Sequence, residues 1–255
     1  MPVNPFDLTG RLALVTGSSK GIGYAIAEGL AEAGAAVVLN ARNGKELEEA
    51  RARLAAAGHA AHALSFDVTD PRAVEQAIDK IETDIGPLDA VFSNAGIQRR
   101  GPLVDFKPET WREIMTTNLD AVHYVGQAAA RKMIARGRGR IVNTCSATSE
   151  IARTSIGPYT AAKGAVKMLT KAMATEWAPL GLNVNGIGPG YFRTELNRAL
   201  FEDPKFTDWL KQRTPARRWG DINELKGVAV FLASDASSFV NGQVIYVDGG
   251  LLASM

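Results

Sequence analysis

Short runs of β-branched and aliphatic residues alternate with longer stretches of helical periodicity along this chain, and that alternation restricts the fold more than any other feature. The runs are LALVT (12–16), AAVVLN (35–40), HALSFDV (62–68), DAVFSN (89–94), RIVNTCS (140–146), LNVNGIG (182–188) and QVIYVD (243–248). Ile22, Ile26, Leu30 and Ala33 follow the first run at helical spacing, and Val74, Ala77, Ile78, Ile81 and Ile85 repeat the pattern. Asp70-Pro71 reads as an N-cap and first helical residue, with Gly34 and Gly58 where helices end. Strand, helix, strand without a break predicts an α/β fold. About seven strands form a doubly wound parallel sheet with helices on both faces and right-handed crossovers. No Pro/Gly/Ser linker divides the 255 residues, so one domain over 1–255 is expected.

The bulk numbers remove several alternatives. At 46% hydrophobic and 22% charged, the chain can bury a substantial core. A net charge of +2 is too small to argue for nucleic acid. The basic run ARGRGR (135–140) reads as a solvated helix end, with Arg131 and Lys132 in the last turns and Gly137 as the stop. The single cysteine, Cys145, excludes an internal disulfide and fits a reducing compartment. Neither a leader nor a run of ~20 apolar residues is visible, which points to a soluble, cytoplasmic protein without a membrane partner. His59, His62 and His123 are scattered, so no metal site is expected.

The first strand runs into TGSSKGIG (16–23), which opens the first helix. Such a turn aims the free N–H groups of a helix N-terminus at an anion. Gly17 permits the turn, Gly21 lets a pyrophosphate approach the backbone, and Gly23 allows close packing on the sheet. A dinucleotide is the ligand this context predicts. The second strand ends Asn40-Ala41-Arg42-Asn43, with no carboxylate for a ribose 2′-hydroxyl. Arg42 and Lys20 could instead clamp a 2′-phosphate, so NADP(H) is predicted over NAD(H).

Farther on, Tyr159 and Lys163 in GPYTAAKGAV stand one helical turn apart, where two side chains can meet. That spacing is compatible with a proton-transfer pair or with two amphipathic surface residues.

Taken together, TGSSKGIG, DVTD (67–70), NAG (94–96), Asn118, Ser146, YTAAK (159–163), GPG (188–190) and VDGG (247–250) resemble the short-chain dehydrogenases/reductases along essentially the whole chain, in that family's order. One departure is Ser93, where the family often has asparagine. The resemblance implies a Rossmann fold, NADP(H), and a homotetramer built on the helices around 108–136 and 154–179 and the C-terminal strand. It also implies that the glycine turn from Gly17 through Ser19, Lys20, Gly21, Ile22 and Gly23 holds the cofactor. Asp67 and Val68 would flank the adenine, and Asn94, Ala95 and Gly96 would stand beside the cofactor. The backbone around Pro189, Gly190 and Phe192, with Thr194, would hold the nicotinamide end.

In the same way, Ser146 would polarise a substrate carbonyl and Tyr159 would serve as acid or base. Lys163, together with the positive oxidised nicotinamide, would lower the tyrosine pKa; Lys163 would also bind the nicotinamide ribose, and Asn118 would hold a water linking Lys163 to solvent. A free phenol titrates near ~10, so an acid or base working near neutrality needs such help.

Substrate choice falls to the loops above the strand ends. IQRRGPL (97–103) offers an arginine, Arg100 or its neighbour Arg99, to an anionic substrate. Glu150, after Ser146, could accept hydrogen bonds from several hydroxyls, and an arginine and a carboxylate near one carbonyl suit a polyhydroxy acid. NAGIQRR, CSATSE, GPGYFRTE and FTDWLKQRTPARRWG resemble the branch of the family that interconverts D-gluconate and 5-keto-D-gluconate. A reductase of 3-oxoacyl-carrier-protein shares every catalytic motif and is the alternative enzyme. A non-catalytic NADPH sensor on the same fold is the alternative of another class.

Overall fold

The computed structural model describes residues 4–254. Seven strands form one all-parallel sheet: β1 (Leu12–Val15), β2 (Ala36–Leu39), β3 (Ala61–Ala63), β4 (Ala90–Ser93), β5 (Gly139–Thr144), β6 (Leu182–Pro189) and β7 (Val244–Val247). They lie in the order β3-β2-β1-β4-β5-β6-β7. Chain progression therefore reverses between β1 and β4, and ligands of open α/β sheets bind beyond the carboxyl ends of the strands at such a point.

The longer helices are α1 (Gly21–Glu32), α2 (Gly44–Ala56), α3 (Pro71–Asp84), α4 (Pro108–Met115), α5 (Ala121–Ala135) and α6 (Gly157–Trp177), followed by α7 (Arg198–Phe201), α8 (Pro204–Arg213) and α9 (Lys226–Ala233). Strand pleating divides the apolar residues between two cores. In β1, Ala13 and Val15 face the layer of α1, α2 and α9, where Ile26, Leu30, Leu47, Leu54 and Leu232 pack. Leu12 and Leu14 face α3, α5 and α6, with Val74, Ile78, Ile81, Val125 and Met173.

The helix boundaries follow local chemistry. Asp70 caps α3 through its carboxylate, which accepts from the N–H groups of Arg72 and Ala73, and Pro71 occupies the first helical position. Gly34, Gly58 and Gly137 follow helix ends with positive φ. The basic run at the end of α5 is neutralised by acids: Arg131 pairs with Glu75, Lys132 with Asp79, Arg136 with Glu82 and Arg140 with Asp235. Among the described residues, no helix is long and apolar enough to cross a membrane.

Two expectations require correction. The third strand is three residues long rather than 62–68. The Asn40 amide donates to the carbonyls of Leu64 and Phe66, drawing the chain out of the sheet at the end of β2. The crossovers are also not all of one hand. The β6-to-β7 connection steps across the sheet in the same direction as those through α3, α5 and α6, yet α9 lies on the opposite face with α1. Its hand is therefore reversed. The right-handed preference belongs to direct strand–helix–strand units, whereas this connection first passes through α7 and α8.

Removing the α3 cap tests the boundary assignment. Asp70→Ala should destabilise the chain by about 1 kcal/mol, seen as a lower urea midpoint with an unchanged m-value.

Candidate active site

The carboxyl ends of β1, β2, β4 and β5 open into a cleft of about 590 Å³. Its floor begins at the glycine turn, which is fastened to β4 by side-chain bonds. The Thr16 hydroxyl accepts from the N–H groups of Asn94 and Ala95, and the Asn94 amide donates to the carbonyls of Thr16 (3.0 Å) and Gly17 (3.1 Å). This junction leaves no room for side chains. A Cβ at Gly17, whose φ is +63°, would stand 2.8 Å from Ala95 Cα, and one at Gly23 would meet the Gly17 carbonyl and stand 2.5 Å from Asn94 Nδ2. The first N–H groups of α1 are left facing the cleft, with no acidic residue in the helix's first turn.

At the end of β2, Asn40 and Ser18 are buried and tie the strand to the turn: the Asn40 N–H donates to Ser18 Oγ at 3.0 Å. Arg42 stands at the cleft mouth and, among the described residues, has no carboxylate within ion-pair distance. Lys20 differs, lying 3.4 Å from Glu46 and 3.9 Å from Glu195. Of the two expected phosphate contacts, Arg42 is the uncommitted cation.

The proton-handling group sits at the other end. Lys163 is 3% exposed, and its ammonium donates to the Thr144 carbonyl at 2.5 Å, 5.7 Å from the centre of the Tyr159 ring. Desolvation brings its pKa down to about 8. Burial likewise pushes the Tyr159 phenol up to about 12, while Ser146 favours its ionised form. The ammonium is itself desolvated and committed to the Thr144 carbonyl. Ser146 is positioned by a capping box: its hydroxyl accepts from the Thr148 N–H (3.1 Å), and its own N–H donates to Ser149 Oγ (3.2 Å). Ser149 in turn donates to the Lys163 carbonyl at 2.8 Å, joining the β5 loop to α6.

Gly17, Ser19 to Gly23, Arg42, Asp67, Val68, Asn94 to Gly96, Tyr159, Lys163 and Thr194 all line this cleft. Other expected residues lie elsewhere. Asn118 is fully buried within a one-turn π-helix, Thr116–Asp120. Both ends of its amide are paired to Ile97, accepting from its N–H and donating to its carbonyl, each at 2.8 Å. Its side chain thus braces the loop after NAG rather than facing the cleft.

Gly190 gives its N–H to Val247 and packs on Asp248, and Pro189 ends β6 outside the cleft wall. Phe192 is turned into the core beneath Gly220. Glu150 is held by Lys167 and by the Tyr246 hydroxyl, both on Oε1, away from the cleft lining. Arg99 is spent on Glu113 at 2.6 Å, whereas the Arg100 side chain donates, among the described residues, only to Gln98 at 3.0 Å. Sequence reasoning missed Thr144, Thr117 and Glu46 in the cleft wall. Only Thr144, two residues before Ser146 at a strand end, carried a signal that could have found it.

A family model described as enoyl-(acyl carrier protein) reductase matches residues 17–252. The chain belongs to the short-chain dehydrogenases/reductases. Among members of this family it is 57% identical to the gluconate 5-dehydrogenase of Gluconobacter oxydans over 250 residues, 98% of each chain. It is 48% identical to the 5-keto-D-gluconate 5-reductase of Escherichia coli K12, again over 98% of each. The crystal structure of a gluconate 5-dehydrogenase from Burkholderia cenocepacia in complex with NADP and tartrate has a TM-score of 0.96 and 54% identity, covering 98% of both chains.

The buried lysine makes a pH test available. Between about pH 8 and ~10.5 the unfolded chain holds a proton on Lys163 that the folded chain has released, so stability rises with pH across that window. Urea unfolding of wild type and Lys163→Met at pH 7, 9 and 10 should show the wild type gaining on the variant. Parallel pH curves would mean that burial does not disfavour the ammonium.

Proposed function

We propose that this short-chain dehydrogenase/reductase interconverts D-gluconate and 5-keto-D-gluconate with NADP(H), and that Ser146, Tyr159 and Lys163 carry the chemistry. The observation that carries the reading is that Tyr159 and the buried Lys163 line one nucleotide-sized cleft together with the glycine turn. Resemblance to enzymes named for gluconate and 5-keto-gluconate supports the substrate. The neighbouring structure described with NADP supports the cofactor.

The residues fit that cofactor. The free N–H groups at the start of α1, with the crowding at Gly17 and Gly23, suit a pyrophosphate approaching bare backbone. Arg42 suits a 2′-phosphate. NADPH, when bound, supplies the hydride. In reduction the Ser146 hydroxyl donates to the ketone oxygen, polarising it, and Tyr159 gives its proton to the oxygen as the alcohol forms. The phenol is then reprotonated from solvent. In oxidation Tyr159 must ionise, which positive charge from Lys163 favours. Asn118, through Ile97, holds the loop bearing Arg99 and Arg100 against the cleft.

A homotetramer is part of the proposal. Edge strand β7 is only half-buried, and Met168 on α6 is 60% exposed, both on elements the family resemblance assigns to interfaces. A small polyhydroxy acid as partner, rather than nucleic acid or membrane, and a cytoplasmic location complete the reading.

Tyr159→Phe should lower turnover of 5-keto-D-gluconate by at least about 100-fold while NADPH affinity, followed by fluorescence titration, stays within a few-fold. Turnover at the wild-type rate would remove Tyr159 from the mechanism. Arg42→Ala should cut the NADPH-to-NADH ratio of kcat/KM by about 10- to 100-fold. An acetoacetyl thioester reduced faster than 5-keto-D-gluconate would move the assignment to acyl-carrier chemistry.

A further inference from the structure

The loop between Ser146 and α6 carries a second arginine whose position the proposed chemistry has not used. Arg153 Cζ stands 5.1 Å from the centre of the Phe206 ring, and its Nε is buried without a hydrogen-bond partner. Among the described residues it is the only charged side chain with such an orphaned atom. A buried guanidinium N–H left unpaired is costly, and a site built to receive an anion accounts for it.

Arg100 belongs to the same place. The Gly101 N–H donates to the Ser155 carbonyl at 3.0 Å, so the loop carrying Arg100 runs beside the loop carrying Arg153. Ser155 there has φ +68°, a left-handed conformation that a serine rarely adopts unless its surroundings enforce it. Burial first, and the charge of Arg153 second, hold the Arg100 pKa below its ordinary value, so the two cations feel each other. Neither has a carboxylate within ion-pair distance among the described residues, while adjacent Arg99 is already paired. Tyr191 links the cluster to the reacting end. Its phenol lies close enough to both arginines and to Tyr159 for their ionisations to be coupled, and its ring packs edge-on to Phe206, 5.6 Å between centres.

We propose that Arg153 and Arg100 form a two-guanidinium clamp for the substrate's carboxylate, with Tyr191 and Phe206 as the wall that holds Arg153 in place. This rests on the sugar-acid reading above and deepens it. In 5-keto-D-gluconate the carboxylate and the ketone lie towards opposite ends of a six-carbon chain, so the acid must be recognised apart from Ser146 and Tyr159. A carboxylate between the two cations satisfies the orphaned Nε and relieves their mutual repulsion. The clamp makes the site selective for keto acids over neutral ketoses.

The discriminating substrates are 5-keto-D-gluconate and L-sorbose, in which a hydroxymethyl group replaces the carboxylate. Arg153→Ala should lower kcat/KM for the keto acid by about 10- to 100-fold, chiefly through KM, and leave L-sorbose within about twofold. Arg153→Lys, which keeps the charge but loses the fork, should fall between. Arg100→Ala/Arg153→Ala together should erase the preference. NADPH titration of each variant verifies the fold; should Arg153→Ala fail it, Arg153→Lys decides by the same ratio. Equal losses on both substrates would make Arg153 a packing residue, and an unchanged ratio would equally overturn the clamp. Wild type that reduces the thioester and neither sugar would defeat the substrate reading and the clamp together; wild type active on the keto acid with an unchanged ratio in the variants defeats the clamp alone.

Discussion

The junction between the glycine turn and the end of β4 is the constraint on which the site depends. Thr16 and Asn94, distant in sequence, exchange hydrogen bonds that hold the β1–α1 turn against the NAG segment. The contact is close enough that Gly17 and Gly23 must lack Cβ atoms. The switch point of the sheet and the start of α1 are thereby held together without any ligand contact, so the anion-facing N–H groups are organised by the protein itself. Asn118 extends the brace one segment further, through Ile97, to the loop that carries Arg100.

At the other end of the cleft, burial governs the tyrosine and the lysine in opposite ways. It raises the phenol and lowers the ammonium, and both shifts favour the uncharged form. A protonated phenol is the form needed to deliver a proton to a nascent alkoxide. Lys163 remains an ammonium below about pH 8 because the Thr144 carbonyl and its surroundings still support it. The pair is thus poised for reduction before any substrate charge develops, while oxidation depends on added positive charge near the phenol.

Much of this was legible in the sequence because it is local. Helix periods, the Asp70 cap, the glycines of the first turn and the alternation of strands with helices are written in neighbouring residues. The family motifs then located the cleft-lining residues from Gly17 to Lys163. What escaped depended on partners far along the chain. Asn40 shortens β3 by claiming carbonyls from the next connection. Glu150 looked available until Lys167 and Tyr246 engaged it, and the pairing of the Asn118 amide with Ile97 joins residues 21 apart in sequence. The reversed hand of the last crossover and the aromatic seat of Arg153 arise from α7 and α8, short elements whose placement periodicity does not encode.

The detour through α7 and α8 has a consequence for how such a chain can diversify. The segment that walls the substrate region is also the tether that carries the chain over the sheet edge to α9 and β7. Its length is excess over what a direct return would require, so residues can be exchanged, inserted or lost there with β6 and β7 still in register. The nucleotide end has no comparable slack, because its turn is wedged against β4 at two glycines. One half of the molecule is thereby open to remodelling for new sugar acids while the other is locked to a single geometry.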